Sequence, residues 1–343
     1  MYPKGRSLGI SCKGLGAPGY TPPPMTLPMT LPMTLPMTLP RTFTMRSLLL
    51  SCLVLSLPLG GLLTSCADSE KPVSAGRVLR FSAIPHERSS TMTEQMIVVA
   101  DYLQQELGLP CEYVPVTDYA AAVEAFKNGD IHLAWFGGVT GVQARRAVPG
   151  SRAIAQGKVD PEFKSYFIAH VDTGLLPTDS FPAGMEGMSF TFGSPGSTSG
   201  RLMPEYFLRQ ATGKTPAEFF GHLNRYSGSH NQTALQVQNH GVDCGALNYK
   251  TYDSMVADGR IDPKVCVKIW ETPTYPDYNW TAHGKLVEIF GEEVFDALQQ
   301  ALVNCKDARV LAALKRPEGL IPAKNQDFLP VAHTMANIGM LPE

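Results

Sequence analysis

The chain has 343 residues, which is enough for two compact domains, and 44% of them are hydrophobic, as in globular proteins with sizeable cores. The first 65 residues hold five basic residues and no acidic ones, so 24 basic and 31 acidic residues remain from Cys66 onward, a net charge near −7. Nucleic-acid-binding proteins normally carry a basic field, so this charge argues against a nucleic-acid partner.

Residues 1–44 differ in character from everything that follows. Residues 25–40 are four copies of Met-Thr-Leu-Pro, and three prolines precede them. Proline lacks the backbone N–H that helices and sheets need, so we expect a disordered, low-complexity leader here. We also expect translation to start at Met45.

An export signal is predicted over residues 45–65. Arg46 supplies a basic start, and residues 48–63 form an apolar run too short and too broken by Pro and Gly for a membrane span. Its end, Leu63-Thr64-Ser65-Cys66, resembles the lipobox of bacterial lipoproteins, in which the cysteine receives a lipid. We therefore expect a lipidated Cys66 and a protein anchored to a membrane in the periplasm or cell envelope. Cleavage of a non-specific leader at another position is the alternative.

The rest of the chain divides into a tether and a folded part. Residues 66–77 are polar and form the tether, after which strand and helix patterns alternate. This alternation predicts an α/β fold with a mostly parallel sheet. A loop rich in Pro, Asp and Gly follows residue 171, and the helices that end the chain have no strands of their own. We therefore predict lobe 1 at 78–171, lobe 2 at 172–275 and a return to lobe 1 at 276–343.

The segment from Phe192 to Pro204 carries the strongest local signal for a binding site. It lies between a strand-like and a helix-like run, so its backbone N–H groups are expected at a helix N-terminus, where the helix dipole adds partial positive charge. Its glycines allow close approach, and Ser197, Thr198 and Ser199 add hydroxyl donors, which together suit a small oxyanion. An ordinary capped helix fits equally well, since the lysine of a P-loop is absent.

The cysteines give no sign of metal or thiol chemistry. Cys111, Cys244, Cys266 and Cys305 remain after the leader, without a C-x-x-C pair or a metal-like spacing. We therefore predict no metal, no cofactor and no catalytic thiol. A disulfide between Cys244 and Cys266 is left open by the sequence.

Six motifs in order resemble a known family. They are V-P-V-T-D-Y-A-A-A-V-E-A-F (114–126), G-D-I-H-L-A-W-F-G-G (129–138), F-G-S-P-G-S-T-S-G-R-L-M-P (192–204), S-G-S-H-N-Q-T-A (227–234), V-D-C-G-A-L-N-Y (242–249) and P-T-Y-P-D-Y-N-W (273–280). The chain resembles the periplasmic substrate-binding proteins of ABC importers, in particular the phosphate-, phosphite- and phosphonate-binding group, and most closely a branch labelled selenate-binding. The resemblance spans residues 79–341. It implies a type II periplasmic binding protein, with two α/β lobes, a hinge and a ligand cleft between the lobes.

The resemblance also implies roles for several side chains. The Ser-Thr-Ser turn is expected to hold the oxyanion. The hydroxyl of Tyr119, at a predicted helix start, is expected to face the ligand, although an aromatic residue there could also be a core anchor. Trp135 and Phe136 end a strand at the lip of the cleft, where parallel sheets bind ligands. Relatives often have a tyrosine at this point, and Phe136 lacks its hydroxyl, so we expect an apolar wall.

Three further candidates each have a structural alternative. His230 lies at a predicted helix start and can donate to an oxyanion or cap the helix. Asp243 could orient His230, accept a proton from a ligand hydroxyl or serve as a structural acceptor. Tyr278 lies on the return crossover and could close over the ligand or pack the hinge. Relatives grip an aminoalkyl phosphonate with acidic residues that cannot be assigned here, which favours a small inorganic oxyanion.

The predicted function is that of a non-catalytic receptor. It captures a small tetrahedral oxyanion and delivers it to an ABC permease and its ATPase. Phosphate, phosphite, phosphonate and selenate share the required geometry, and the sequence does not choose among them. The alternative is a phosphoryl-handling enzyme on a similar two-lobe scaffold, which the missing P-loop lysine, metal-ligand cluster and G-x-S-x-G motif argue against.

Overall fold

The computed structural model describes residues 76–86 and 90–341, so the predictions for the leader, the export signal, Cys66 and most of the tether fall outside the described residues. The strands are β1 (Leu79–Ala83), β2 (Cys111–Tyr113), β3 (Leu133–Phe136), β4 (Arg152–Gly157), β5 (Ser165–His170), β6 (Phe190–Phe192), β7 (Arg225–Tyr226), β8 (Cys244–Asn248), β9 (Cys266–Glu271), β10 (Asn279–Ala282) and β11 (Leu320–Pro322).

Helices connect and cover these strands. They are α1 (Ser90–Leu107), α2 (Tyr119–Asn128), α3 (Gly138–Ala147), α4 (Met203–Thr212), α5 (Pro216–Phe220), α6 (His230–Gln238), α7 (Tyr249–Ala257), α8 (Leu286–Phe290), α9 (Glu292–Val303), α10 (Ala308–Ala313) and α11 (Leu329–Asn337). None of the helices in the described part of the chain is long and apolar enough to cross a membrane.

The strands form two sheets, one in each lobe. The first sheet has the order β11-β4-β10-β3-β1-β2, and the second has the order β7-β6-β8-β5-β9. In the first sheet β1 runs parallel to β2 and β3, whereas β10 is antiparallel to both β3 and β4. In the second, β6 runs parallel to β7 and β8, whereas β5 is antiparallel to both of its neighbours. Both sheets are therefore mixed, which corrects the prediction of a mostly parallel sheet.

Strands β5 and β10, each antiparallel to both of its neighbours, show where the chain changes lobe. Strand β5 follows the first-lobe strands in sequence but pairs with β8 and β9 of the second sheet. The predicted end of lobe 1 at residue 171 is therefore wrong, because the chain crosses before Ser165. Strand β10 makes the reverse crossing, and β11 joins the first sheet after it. The chain therefore crosses between the lobes twice, once before β5 and once before β10, and these crossings connect the two sheets.

The two crossing segments pair with each other. Phe163 and Tyr275 exchange both of their backbone hydrogen bonds, each at 2.9 Å. Thr272 N donates to Ser165 O, and Ser165 N donates to Thr272 Oγ1, both at 3.0 Å. A hinge made of two adjacent strands allows the lobes to rotate while their connection stays ordered.

A buried ion pair supports this hinge from the first lobe. Arg316 donates from Nη2 to Asp160 Oδ1 at 2.6 Å and from Nε to Asp160 Oδ2 at 2.8 Å. Asp160 Oδ2 also accepts from Gly157 N at 2.7 Å. The Arg316 guanidinium lies 4.8 Å from the centre of the Tyr278 ring. Both charged side chains are almost completely buried, so each depends on the other for the solvation that it has lost.

The second lobe has an apolar core on each face of its sheet. Successive residues of β5 alternate between them, Phe167 packing in one core and Ile168 in the other. Cys244 and Cys266 lie on strands on opposite sides of β5, opposite Ala169 and His170. Strands two apart in a sheet are about 10 Å apart, too far for a disulfide. The four described cysteines are accordingly free thiols.

Candidate functional site

The Ser-Thr-Ser turn forms a tight loop at the end of β6. Ser197 lies in extended backbone before a short π-helical turn (Thr198–Leu202) that continues into α4, and its Oγ accepts from Gly200 N at 2.9 Å. Gly193 N donates to Gly200 O at 2.8 Å, and a side chain at Gly200 would lie 3.2 Å from the Gly193 Cα. Glycine is needed at both positions for this close approach. The hydroxyls of Thr198 and Ser199, between the two glycines, lie toward the first lobe.

Thr198 and Ser199 converge on a carboxylate that the sequence analysis did not single out. Asp277 lies in the second crossing segment, only 1% exposed, and both hydroxyls are hydrogen-bonded to its side chain. Its Oδ1 also accepts from Gly138 N at 2.9 Å, at the start of α3. The next amide of that helix, Val139 N, donates to Thr198 Oγ1 at 3.1 Å. Donors from both lobes therefore meet at one oxyanion, as expected for a helix N-terminus.

The surroundings of Asp277 change its acidity. Burial raises the pKa of its carboxyl to about 6, and the hydrogen bonds from Gly138, Thr198 and Ser199 oppose that increase only in part. The nearby carboxylate of Asp160 also contributes to this increase in the pKa. Near neutral pH the group can therefore hold or release a proton with little change in free energy, which suits a partner for an anion.

His230 lies beside the cluster of Asp277, Thr198 and Ser199, on the side of the second lobe. It is the first residue of α6, and its Nδ1 accepts from Asn248 N at 3.3 Å. An accepting Nδ1 places the ring proton on Nε2, so this nitrogen is a donor. A side chain at Gly200 would lie 3.1 Å from the His230 Cε1, so the glycine turn also makes room for the imidazole. The backbone N–H of His230 donates to His86 O at 3.1 Å and joins the two lobes.

Aromatic side chains close the other side of the cluster. Trp135 at the end of β3 is stacked on Tyr278, with ring centres 5.6 Å apart, and the His86 ring meets Tyr278 edge-on at 5.7 Å. The Tyr278 hydroxyl accepts from Asn248 Nδ2 at 3.3 Å. Tyr278 therefore packs against both Trp135 and the hinge, and a role in closing over a ligand stays a prediction.

Tyr119 lies at the mouth of the cleft. It begins α2 directly after Asp118, whose Oδ1 accepts from Ala121 N at 2.8 Å and caps the helix. A side chain at Gly196 would lie 3.1 Å from the Tyr119 Cβ, so the tyrosine packs directly on the loop before the Ser-Thr-Ser turn. The residue is buried, and its hydroxyl is close enough to affect the acidity of Tyr278.

Two predicted site residues lie elsewhere. Phe136 points away from the cleft and packs edge-on against Phe126 in the core of the first lobe, at 5.5 Å between ring centres. It follows Trp135, and neighbouring residues of a strand face opposite ways. Asp243 precedes β8, whereas Asn248 ends it, about 16 Å further along the strand. Its carboxylate accepts from Ser189 N at 2.9 Å and from Ser189 Oγ at 2.7 Å. The structure therefore corrects both assignments.

Contacts between the lobes close the cleft. Val139 N bonds to Thr198, and His230 N bonds to His86. Asp277, Thr198 and Ser199 are at most 2% exposed, so a ligand reaches them only when the lobes are apart.

Comparisons with known proteins agree with this arrangement. The model of the family described as "ABC transporter, phosphonate, periplasmic substrate-binding protein" matches residues 81–328. The chain is 37% identical over 230 residues to the probable ABC transporter phosphite-binding protein PhnD1 of Prochlorococcus marinus strain MIT 9301, which covers 66% of this chain and 77% of the relative. It is 26% identical over 298 residues to the phosphate-import protein PhnD of Mycolicibacterium smegmatis, with 79% and 91% covered.

A comparison with solved structures finds a relative of the same group. The 1.52 Å structure of PhnD1 from Prochlorococcus marinus in complex with methylphosphonate has a TM-score of 0.73 to this chain at 33% sequence identity. The match covers 77% of this chain and 99% of that one.

Proposed function

The chain belongs to the family of periplasmic substrate-binding proteins of phosphonate ABC transporters, and on that basis we propose that it captures a small phosphorus oxyanion between its lobes. As a component of an importer it acts with a permease and an ATPase. Proteins of this family bind and release their ligand without converting it. The type II fold and the importer role follow from the family, and the ligand and its contacts are the proposal.

One observation carries the proposal. The amides at the start of α3 and the hydroxyls of Thr198 and Ser199 already surround an oxyanion, the Asp277 carboxylate. These donors come from opposite lobes, so they can meet around a ligand only when the cleft closes. Tyr119 and His230 add an aromatic hydroxyl and an imidazole N–H beside them. A phosphonate or phosphite group fits such a set, because its oxygens accept several hydrogen bonds in different directions.

The buried carboxyl also selects among ligands by protonation. Two anions in contact in a buried site repel each other unless a proton lies between them. That proton can reside on Asp277 or on a ligand P–OH group. Phosphite, methylphosphonate and phosphate can supply it near neutral pH, whereas selenate and sulfate are fully deprotonated there, so Asp277 has to take up a proton from solution before they bind, which weakens their binding. We therefore propose a phosphorus oxyanion and not selenate as the ligand.

A calorimetric titration panel tests the proposal. Phosphite, methylphosphonate, phosphate, selenate and sulfate are titrated separately into the purified protein at neutral pH. At least one phosphorus oxyanion should bind one to one, and more tightly than selenate. Asp243→Asn is a matched control, because this carboxylate lies outside the cluster, and it should leave the affinity unchanged. Binding of none of the phosphorus oxyanions, or tighter binding of selenate, would contradict the proposal.

We further propose that a lipid on Cys66 holds the protein at the membrane. The support is the apolar run that ends in Leu63-Thr64-Ser65-Cys66, followed by a polar tether. Expression of Cys66→Ser in a bacterial host should move the protein from the membrane fraction to the soluble periplasmic fraction. A Cys111→Ser variant is the control and should stay with the membrane. If Cys66→Ser also stays there, the anchor is elsewhere.

A further inference from the structure

A second group of polar side chains lies at the end of the second sheet that is remote from Asp277. His170 ends β5, Asp172 follows it, and His240 comes after α6. The end of β5 occupied by His170 is opposite Asp243, whereas its start is paired with Asn248 near the cleft. These side chains take no part in the proposed binding of the oxyanion.

The three side chains place their ligand atoms together. His170 Nδ1 lies 3.4 Å from Asp172 Oδ2, and His240 Nδ1 lies 3.5 Å from the same oxygen. All three atoms are within 4.8 Å of one another. Ligand atoms of a tetrahedral zinc site with bonds of about 2.0–2.1 Å lie roughly 3.3 Å apart, so two of the three separations already match.

Hydrogen bonds leave both imidazoles in the form that binds metals. His240 Nε2 lies 3.2 Å from Asp243 Oδ1 and donates to it, so the lone pair is on Nδ1, the atom near Asp172. His170 Nδ1 accepts from Asp172 N at 3.2 Å, so it is also unprotonated, and a metal ion has to displace this amide from its lone pair. A carboxylate behind a ligating histidine, as Asp243 is here, is a recurring outer-shell partner that fixes the tautomer.

The group is open to solvent on one side. The Asp172 side chain is 67% exposed and that of His240 is 40% exposed, whereas His170 is buried. The two imidazole rings are stacked, with centres 3.9 Å apart and planes 13° apart. Convergence of both lone pairs on one ion requires the His240 ring to turn out of this stack, and its exposure gives it the space. His240 also has a left-handed backbone, with φ of +52°.

We propose that His170, Asp172 and His240 form a surface site for a divalent cation of the Zn²⁺ type, with Asp243 as its outer-shell carboxylate. Two neutral imidazoles and a carboxylate are donors that Zn²⁺, Co²⁺ and Ni²⁺ accept, and water completes the coordination at the exposed side. Sequence spacing gives no signal for this site, because β5 and the end of α6 bring the ligands together only in the folded lobe.

Zn²⁺ titration of the full mature chain, without any histidine tag, tests the site. Calorimetry should show one Zn²⁺ per chain, and Co²⁺ in its place should give the visible absorption of a low-coordinate site. Asp172→Asn and His240→Asn remove one ligand each, and each should weaken Zn²⁺ binding at least about tenfold. Asparagine tolerates the left-handed backbone at position 240, so His240→Asn should fold normally.

The control is His333→Asn, which removes an exposed histidine from the first lobe and should leave Zn²⁺ binding unchanged. Methylphosphonate affinity, measured on the same variants, should be equal in all of them. The proposal is overturned if the chain binds less than about one-fifth of an equivalent of Zn²⁺, or if Asp172→Asn and His240→Asn bind Zn²⁺ as tightly as His333→Asn does.

Discussion

Asp277 lies in an environment that differs strongly from that of an ordinary acid in water. Its pKa is about 6 in the folded protein against 3.8 for the unfolded reference. The unfolded chain therefore loses the proton first, and stability falls as pH rises from about 4 to 6, by about 3 kcal/mol in all. Asp277→Asn has no such proton, so the fall in its free energy of unfolding over this range should be smaller by about that amount. Urea unfolding of the ligand-free proteins at several pH values measures this, and identical pH profiles would contradict it.

Neighbouring hydroxyls of the Ser-Thr-Ser turn are expected to have different roles. Ser197 Oγ caps Gly200 N, so Ser197→Ala should lower the free energy of unfolding by about 1 kcal/mol. Thr198 Oγ1 joins Val139 N and Asp277, so Thr198→Val should weaken binding of the phosphorus oxyanion by about tenfold or more, with a smaller loss of stability. Urea unfolding and calorimetry on both variants separate the two effects. The assignment fails if Ser197→Ala loses affinity while Thr198→Val does not.

Local pattern predicts only part of the site. The hydroxyl turn is predicted from its consecutive glycines and hydroxyls, whereas Tyr119 is predicted only through the family resemblance, and the contacts of both with a ligand stay predictions. Asp277 lies within one of the six motifs, but the sequence does not predict a role for it. Its burial and its hydrogen-bond donors depend on α3 and on the turn before α4, which belong to different lobes. The placement of Asp243 was wrong for a related reason: an aspartate beside a strand can lie at either end of the sheet, and only the pairing of that strand determines which.

At the scale of elements, helices with local end signals were predicted well. The helix start predicted at Tyr119 is the first residue of α2, with Asp118 as its cap and Gly129 at φ of +79° after its end. Strand β5 lies within the residues predicted for lobe 1 but pairs in the second sheet. A strand's own residues indicate that it is extended and buried, while its partners are determined by long-range packing, which no local pattern contains.

The Asp160–Arg316 pair links two first-lobe segments beside the hinge, and its removal should be costly. Arg316→Met leaves the Asp160 carboxylate buried without its partner, which should lower the free energy of unfolding by about 3–5 kcal/mol. Arg309 forms a similar pair with Asp307 at the surface, with its side chain 77% exposed, so Arg309→Met should cost less than about 1 kcal/mol. Urea unfolding of the two variants makes the comparison. Equal costs would mean that the buried pair does not stabilise the hinge.

At the scale of the whole described fold, the proposed site couples ligand binding to lobe closure. The donors around Asp277 belong to α3 in the first lobe and to the Ser-Thr-Ser turn in the second, so neither lobe holds the complete set. The only covalent links between the lobes are the crossing segments that pair through Phe163 and Tyr275. An open form gives up the contacts of Val139 with Thr198 and of His86 with His230, while the hinge ladder can remain intact.

This coupling predicts a change of size on binding. A phosphorus oxyanion bridges both lobes and favours the closed form, so saturating methylphosphonate should reduce the radius of gyration measured by small-angle scattering. It should also raise the melting temperature by mass action. Sulfate at the same ionic strength is the matched control and should need a higher concentration to change either quantity, because Asp277 then has to take up its proton from solution. Thr198→Val should need more methylphosphonate for the same compaction, since it loses a contact made only in the closed form. An unchanged scattering profile at a concentration where calorimetry shows full binding would mean that the ligand binds without closing the lobes.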